Sequence, residues 1–97
     1  MLSKEKILVV LKGEMPYLKR RFKVKSIALF GSYVRGKQNK KSDIDILVEF
    51  KVAIGFFKFM ELEFYLEEKL GTKVDLVTPD AIKPLLKPSI IRETIYA

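Results

Sequence analysis

The chain has 97 residues, of which 48% are hydrophobic and 32% are charged, and this composition is typical of one small folded domain spanning residues 1–97. It contains neither cysteine nor histidine, which excludes disulfides, thiolate metal sites and imidazole catalysis. The net charge of +7 would suit a nucleotide, a nucleic acid or an acidic protein, while the short apolar runs and the charged residues 4–6 favour a cytoplasmic protein over a membrane-spanning or secreted one.

The first predicted element is an amphipathic helix. Apolar residues recur at helical spacing over residues 3–22, and Ser3 is suited to cap the helix at its start. Gly13 and Pro16 lie near the middle of this segment. Because proline lacks the amide that a helix interior needs, we expect either a kink or two short helices here.

Strands and helices alternate through the rest of the chain. The predicted strands are residues 24–30, 43–50 and 73–77. The predicted helices are residues 32–36, residues 56–70 ended by Gly71, and a C-terminal stretch that begins near residue 78 and is broken at Pro84 and Pro88. This order predicts an α/β (α+β) fold, in which helices pack on a small mixed three-stranded sheet.

Two carboxylates in the second predicted strand carry the clearest chemical signal. Residues i and i+2 of a strand point to the same side, so Asp43 and Asp45 are expected to project together. Two such charges repel each other unless a cation lies between them, and Mg²⁺ prefers carboxylate ligands combined with substrate phosphates. Alternatively, they are solvated acidic residues on an edge strand.

A glycine and a serine follow the first predicted strand. Gly31 would let the backbone turn and approach a phosphate closely, next to the hydroxyl of Ser32. The pair could also form an ordinary turn in which Ser32 caps a helix, and both interpretations can hold together. Arg35 would either pair with a surface glutamate or offset the charge of a substrate phosphate.

These motifs have the spacing of a known signature, which comprises Gly31, Ser32, Arg35, Gly36, Ser42, Asp43 and Asp45. The pattern resembles that of the DNA polymerase beta-type nucleotidyltransferase superfamily, in particular its minimal, single-domain members. The resemblance implies a third carboxylate on a later, neighbouring strand. Asp75, within the run Val74 to Val77, fits that place, although it could also be a plain polar residue in a short strand.

The resemblance also implies a reaction. In such proteins the three aspartates, here Asp43, Asp45 and Asp75, would hold two Mg²⁺ ions and perform the catalysis. The nucleotide-binding residues would be Gly31, Ser32, Arg35 and Ser42. With ATP as substrate, AMP would move to a hydroxyl and pyrophosphate would leave. The minimal proteins look like antitoxins paired with a HEPN-type ribonuclease toxin, so the implied acceptor is a tyrosine of that toxin.

Two other functions stay open at this level. The chain could be a non-catalytic antitoxin that binds nucleotide and neutralises its partner by binding alone. It could also modify RNA 3′ ends, although nucleic acid is not expected as a direct substrate because no residues remain for a second, gripping domain. A second apolar stripe on the 56–70 helix, formed by Phe57, Met60 and Phe64, indicates either a wide core contact or an interface with a toxin or a second copy.

Overall fold

A mixed four-stranded sheet forms the centre of the computed structural model, which describes residues 2–97. The strands are β1 (Val24–Phe30), β2 (Ile44–Phe50), β3 (Val74–Val77) and β4 (Ile95–Tyr96). Their order across the sheet is β3-β2-β1-β4. Strand β1 is antiparallel to β2 and β4, whereas β2 and β3 are parallel, so the chain must cross over between these two.

The predicted mixed sheet is confirmed, but the predicted number of three strands is wrong. The additional strand, β4, pairs Ile95 with Leu29 and Tyr96 with Ala28. A two-residue strand is too short to show alternation in the sequence, and its pairing depends on the free edge that β1 offers. Strands β2 and β3 also begin one residue later than predicted.

The helices are α1 (Lys4–Phe22), α2 (Ser32–Arg35), α3 (Phe56–Leu70) and α4 (Lys87–Glu93), with a 3₁₀ helix at Pro79–Ala81. The hydroxyl of Ser3 accepts a hydrogen bond from the Lys6 amide at 3.2 Å, which confirms the predicted cap of α1. The alternative of two short helices is wrong, because α1 continues through Pro16. Leu11 and Leu18, on either side of the proline, are both fully buried, and this packing outweighs one missing hydrogen bond.

The C-terminal stretch is also more continuous than predicted. It is interrupted near Pro84, as expected, but Pro88 does not break it. Pro88 lies in the first turn of α4, where a backbone amide would have no partner inside the helix. Within residues 2–97, no helix is both long and apolar enough to cross a membrane.

The hydrophobic core lies between the sheet and helices α1 and α3. Ile44, Ile46 and Val48 of β2 belong to this core, together with Leu62, Leu66 and Leu70 of α3, as the helical periodicity predicted. Since side chains alternate along a strand, Asp45 projects from the opposite face of the sheet. One face of β2 therefore packs into this core, and Asp45 lies on the other face, next to the buried Leu47.

The second stripe on α3 does not belong to the core. Phe57 is 87% exposed and Phe64 is 60% exposed, while Met60 is half-buried. The alternative of a wide core contact is therefore wrong for the two phenylalanines, whose rings face solvent in the isolated chain.

Candidate active site

The centre of the candidate site is a pair of aspartates on adjacent strands. Asp45 of β2 and Asp75 of β3 are direct partners in the parallel register, which places their backbones about 4.8 Å apart. Asp45 is half-buried, whereas Asp75 is exposed on the edge strand. Asp43 lies one residue before β2, and its charge also acts on Asp45. The structure thus brings the three predicted carboxylates to one region of the sheet.

This arrangement makes Asp45 difficult to ionise. Its pKa is raised from 3.8 to about 6, first by burial and then by the negative charges of Asp75 and Asp43. The Arg35 guanidinium lowers this pKa, and the carboxylate of Glu93 raises it further. A region that concentrates unbalanced negative charge in this way is suited to a cation.

The glycine that follows β1 is fixed by its contact with Asp45. Gly31 has φ 82° and ψ −152°, a backbone conformation that is essentially restricted to glycine. A Cβ atom at this position would lie 2.0 Å from Oδ2 of Asp45. The backbone of residue 31 therefore passes directly against the carboxylate of Asp45, whereas its predicted close approach to a phosphate stays a prediction.

The other predicted nucleotide-binding residues have different surroundings. Ser32 is the first residue of α2, and Gly31 rather than Ser32 occupies the cap position, so the alternative role of Ser32 as a cap is wrong. The hydroxyl of Ser42 accepts a hydrogen bond from the Asn39 amide at 2.9 Å and thereby stabilises the loop before β2. Its role toward a nucleotide stays a prediction.

The first interpretation of Arg35, a pair with a glutamate, is confirmed, and its role toward a substrate phosphate stays a prediction. Its Nη1 atom donates hydrogen bonds to both carboxylate oxygens of Glu93, each at 3.0 Å, so it does pair with a glutamate. At the same time its positive charge lowers the pKa of Asp45, so it lies within electrostatic range of the acidic cluster.

Glu93 is the residue of this region that sequence reasoning missed. Its Oε1 atom also accepts a hydrogen bond from the Gly31 amide at 3.1 Å. Glu93 lies at the end of α4, 62 residues from Gly31, and no motif in the sequence links the two. Only the pairing of β4 with β1 brings them together.

The acidic residues of this region are of the chemical type that binds Mg²⁺. Three carboxylates from neighbouring positions offer the oxygen ligands that this ion takes, and their mutual repulsion would be relieved by it. In the part of the chain that the structure describes, no three acidic side chains already form a grouped metal-binding cluster. The assignment to Mg²⁺ therefore rests on the types of donor atoms and on their negative charge, and not on a preformed metal site.

Comparison with known proteins identifies the family. A family model described as a nucleotidyltransferase domain matches residues 15–97. The chain belongs to this nucleotidyltransferase family. The predicted enzyme class and fold are thereby confirmed, while the roles of Asp43, Asp45 and Asp75 stay predictions.

Relatives of this nucleotidyltransferase include both sequences and solved complexes. Protein adenylyltransferase MntA of Thermococcus cleftensis is 44% identical over 96 residues, which cover 99% of this chain and 97% of the relative. A crystal structure of a toxin-antitoxin with AMP-PNP has a TM-score of 0.69 and 30% identity, covering 98% of this chain and 72% of that one. A complex of a tri-AMPylated Shewanella oneidensis HEPN toxin with an MNT antitoxin has a TM-score of 0.59 and 27% identity, covering 95% and 66%.

Proposed function

We propose that this protein transfers AMP from ATP to a tyrosine of a HEPN-type ribonuclease toxin and thereby acts as an antitoxin. The observation that carries the proposal is the pairing of Asp45 with Asp75 in adjacent strands, directly beside Gly31. Membership of the nucleotidyltransferase family supports the reaction type. The relatives named for protein adenylylation, and the solved complex that contains an AMPylated HEPN toxin, support the acceptor.

Each group in the site has a proposed part in binding ATP. Three groups would donate hydrogen bonds to the β- and γ-phosphate oxygens: the Gly31 amide, the Ser32 hydroxyl and the Arg35 guanidinium. Ser42 lies in the loop before β2. Asp43, Asp45 and Asp75 would hold Mg²⁺, which when bound neutralises phosphate charge and increases the acidity of the attacking hydroxyl. Two ions are the number expected for a site of this type.

Asp75 has the position of a catalytic base. It lies on the edge strand β3 and is exposed, so a hydroxyl of a second protein can reach it without passing through the core. In the reaction, the acceptor oxygen forms a bond to the α-phosphorus and the bond from that phosphorus to the bridging oxygen of the β-phosphate breaks. Asp75 accepts the proton of the hydroxyl, and pyrophosphate leaves. The absence of histidine from the chain is consistent with a carboxylate base.

The partner surface is proposed to lie on α3. The rings of Phe57 and Phe64 are exposed and lie two helical turns apart, so they share one side of the helix. Exposed aromatic rings are typical of protein interfaces, where a few of them often contribute much of the binding energy. We propose that this stripe contacts the toxin, and a second copy of the chain is the alternative occupant.

Labelled nucleotide tests the reaction directly. The chain, co-expressed with its toxin partner, is incubated with Mg²⁺ and ATP labelled at the α-phosphate, and the label is located on protein or RNA. We expect label on a tyrosine of the partner and none with the double variant Asp43→Asn plus Asp45→Asn. Asp80→Asn is the matched control, because Asp80 is exposed and lies outside the acidic cluster.

The other outcomes separate the alternative functions. Label on RNA would replace the protein acceptor by an RNA 3′ end. If the toxin is neutralised but no label is transferred, the chain is a binding antitoxin. Transfer that survives the double variant would refute the assignment of the aspartates.

A further inference from the structure

Glu93 occupies the donors that the proposed function assigns to ATP. Its carboxylate accepts hydrogen bonds from the Gly31 amide at 3.1 Å and from Nη1 of Arg35 at 3.0 Å to each oxygen. The side chain of Glu93 is 20% exposed, and that of Arg35 is 51% exposed. A carboxylate bound by an arginine and a backbone amide uses the same donors that a phosphate group would use.

The Glu93 carboxylate is paired with Arg35 but also lies near other acidic groups. Glu93 adds a fourth negative charge to a region that already contains three aspartates, and it disfavours the ionised form of Asp45. A glutamate that served only to hold the C-terminal segment could pair with a cation elsewhere on the basic surface. Glu93 thus holds the C-terminal segment through the same donors that the proposed function assigns to a phosphate.

The pairing between strands β1 and β4 positions Glu93 next to these donors. Strand β4 pairs Leu29 with Ile95, and the continuation of this register by two residues places Glu93 opposite Gly31. Glu93 is the last residue of α4, and the Thr94 hydroxyl donates a hydrogen bond to the carbonyl of Ile90 at 2.6 Å. The last residues are held to β1 by the Ala97 amide, which donates to the Ile27 carbonyl at 3.0 Å. Glu93 thus lies where helix α4 meets strand β4, and its side chain extends to Gly31 and Arg35.

We propose that Glu93 is an internal competitor for the terminal phosphates of ATP, so that the nucleotide binds by displacing its carboxylate from Gly31 and Arg35. The proposal rests on the proposed function, since it takes these two residues as the phosphate donors. In the nucleotide-free protein, Glu93 keeps the donors in place and satisfied. The same contact lowers the affinity for ATP and excludes weaker anions, because any ligand must first break it.

Nucleotide affinity in two variants tests this competition. Binding of AMP-PNP and of AMP, each with Mg²⁺, is measured by calorimetry for the wild type, Glu93→Gln and Glu93→Asp. The first variant removes the charge and keeps the shape. The second keeps the charge but shortens the side chain, so that it no longer reaches both donors. Glu61→Gln is the matched control, because Glu61 also pairs with an arginine, Arg21, at 2.8 Å, but on helices α1 and α3.

We expect both Glu93 variants to bind AMP-PNP about three- to tenfold more tightly, since a partly exposed ion pair of this kind is weak and its loss changes affinity modestly. The affinity for AMP, which lacks the terminal phosphates, should be unchanged. In NMR spectra of the wild type, the amide resonance of Gly31 should shift when AMP-PNP is added. Glu61→Gln should bind both nucleotides as the wild type does.

Three results would overturn the proposal. AMP-PNP affinity that is unchanged or weaker in both variants would make Glu93 a positioning residue for Arg35. An equal gain for AMP would show that the effect does not depend on the terminal phosphates. Absence of AMP-PNP binding in all proteins, the wild type included, would overturn the proposed function and this inference with it, whereas the first two results overturn this inference alone.

Discussion

Replacement of Asp45 by asparagine should stabilise the metal-free protein. The ionised carboxylate of Asp45 is half-buried, faces Asp75 and Asp43, and lies against the backbone of Gly31. Asparagine has nearly the same shape and no charge, so it removes the repulsion without opening a cavity. A residue that we propose for catalysis would thereby be shown to reduce stability.

The raised pKa sets the magnitude of this effect. A shift from 3.8 to about 6 corresponds to a cost of about 3 kcal/mol for holding Asp45 ionised in the folded state. Because solvent reaches part of this carboxyl and screens its charge, we expect Asp45→Asn to raise the free energy of unfolding by about 2 kcal/mol at pH 8.

The raised pKa of Asp45 also determines how the stability of the two proteins should change with pH. Between pH 4 and 6 the folded protein retains a proton on Asp45 that the unfolded chain has lost, so the stability of the wild type falls as the pH rises through this window. The variant lacks this group, and its advantage should therefore be largest above pH 6 and vanish near pH 4. Urea unfolding followed by circular dichroism, in EDTA at pH 4 to 8, measures both proteins.

Asp80→Asn provides the control for this experiment. Asp80 is fully exposed, and its pKa is lowered by the hydrogen bond from the Thr78 side chain, so its replacement should not stabilise the protein at pH 8. The reasoning is refuted if Asp45→Asn is no more stable than the wild type at pH 8, or if its advantage is the same at pH 4.

Three further predictions follow from the same geometry. Asp75→Asn should lower the rate of AMP transfer about 100-fold or more while the affinity for AMP-PNP changes little, because the residue activates the acceptor; a parallel loss of affinity, measured by calorimetry, would instead place Asp75 among the nucleotide ligands. Gly31→Ala should destabilise the fold by about 1–3 kcal/mol in urea unfolding, because the new Cβ would lie 2.0 Å from Asp45 at positive φ; Gly13→Ala, with open space around its Cβ, should not. Phe57→Lys should weaken association with the toxin in a pull-down without lowering the melting temperature, whereas Leu62→Lys, buried on the same helix, should unfold the domain; a lower melting temperature for Phe57→Lys would contradict the exposed stripe.

The sequence by itself determined the elements with strong local signals. Strand β1, helix α3 with its stop at Gly71, and the buried stripe of Leu62, Leu66 and Leu70 follow from periodicity and from glycine, which are local properties. The sequence also indicated the enzyme family, because seven residues resemble a known signature in type and spacing: Gly31, Ser32, Arg35, Gly36, Ser42, Asp43 and Asp45.

Tertiary structure alone decided which distant groups meet. The register between β2 and β3 places Asp75 beside Asp45, and the register between β1 and β4 places Glu93 on Gly31 and Arg35. Likewise, α1 continues through Pro16 because its two halves share one core. Pairing between strands and burial depend on contacts between residues far apart in the chain, and such contacts leave no pattern within a local segment.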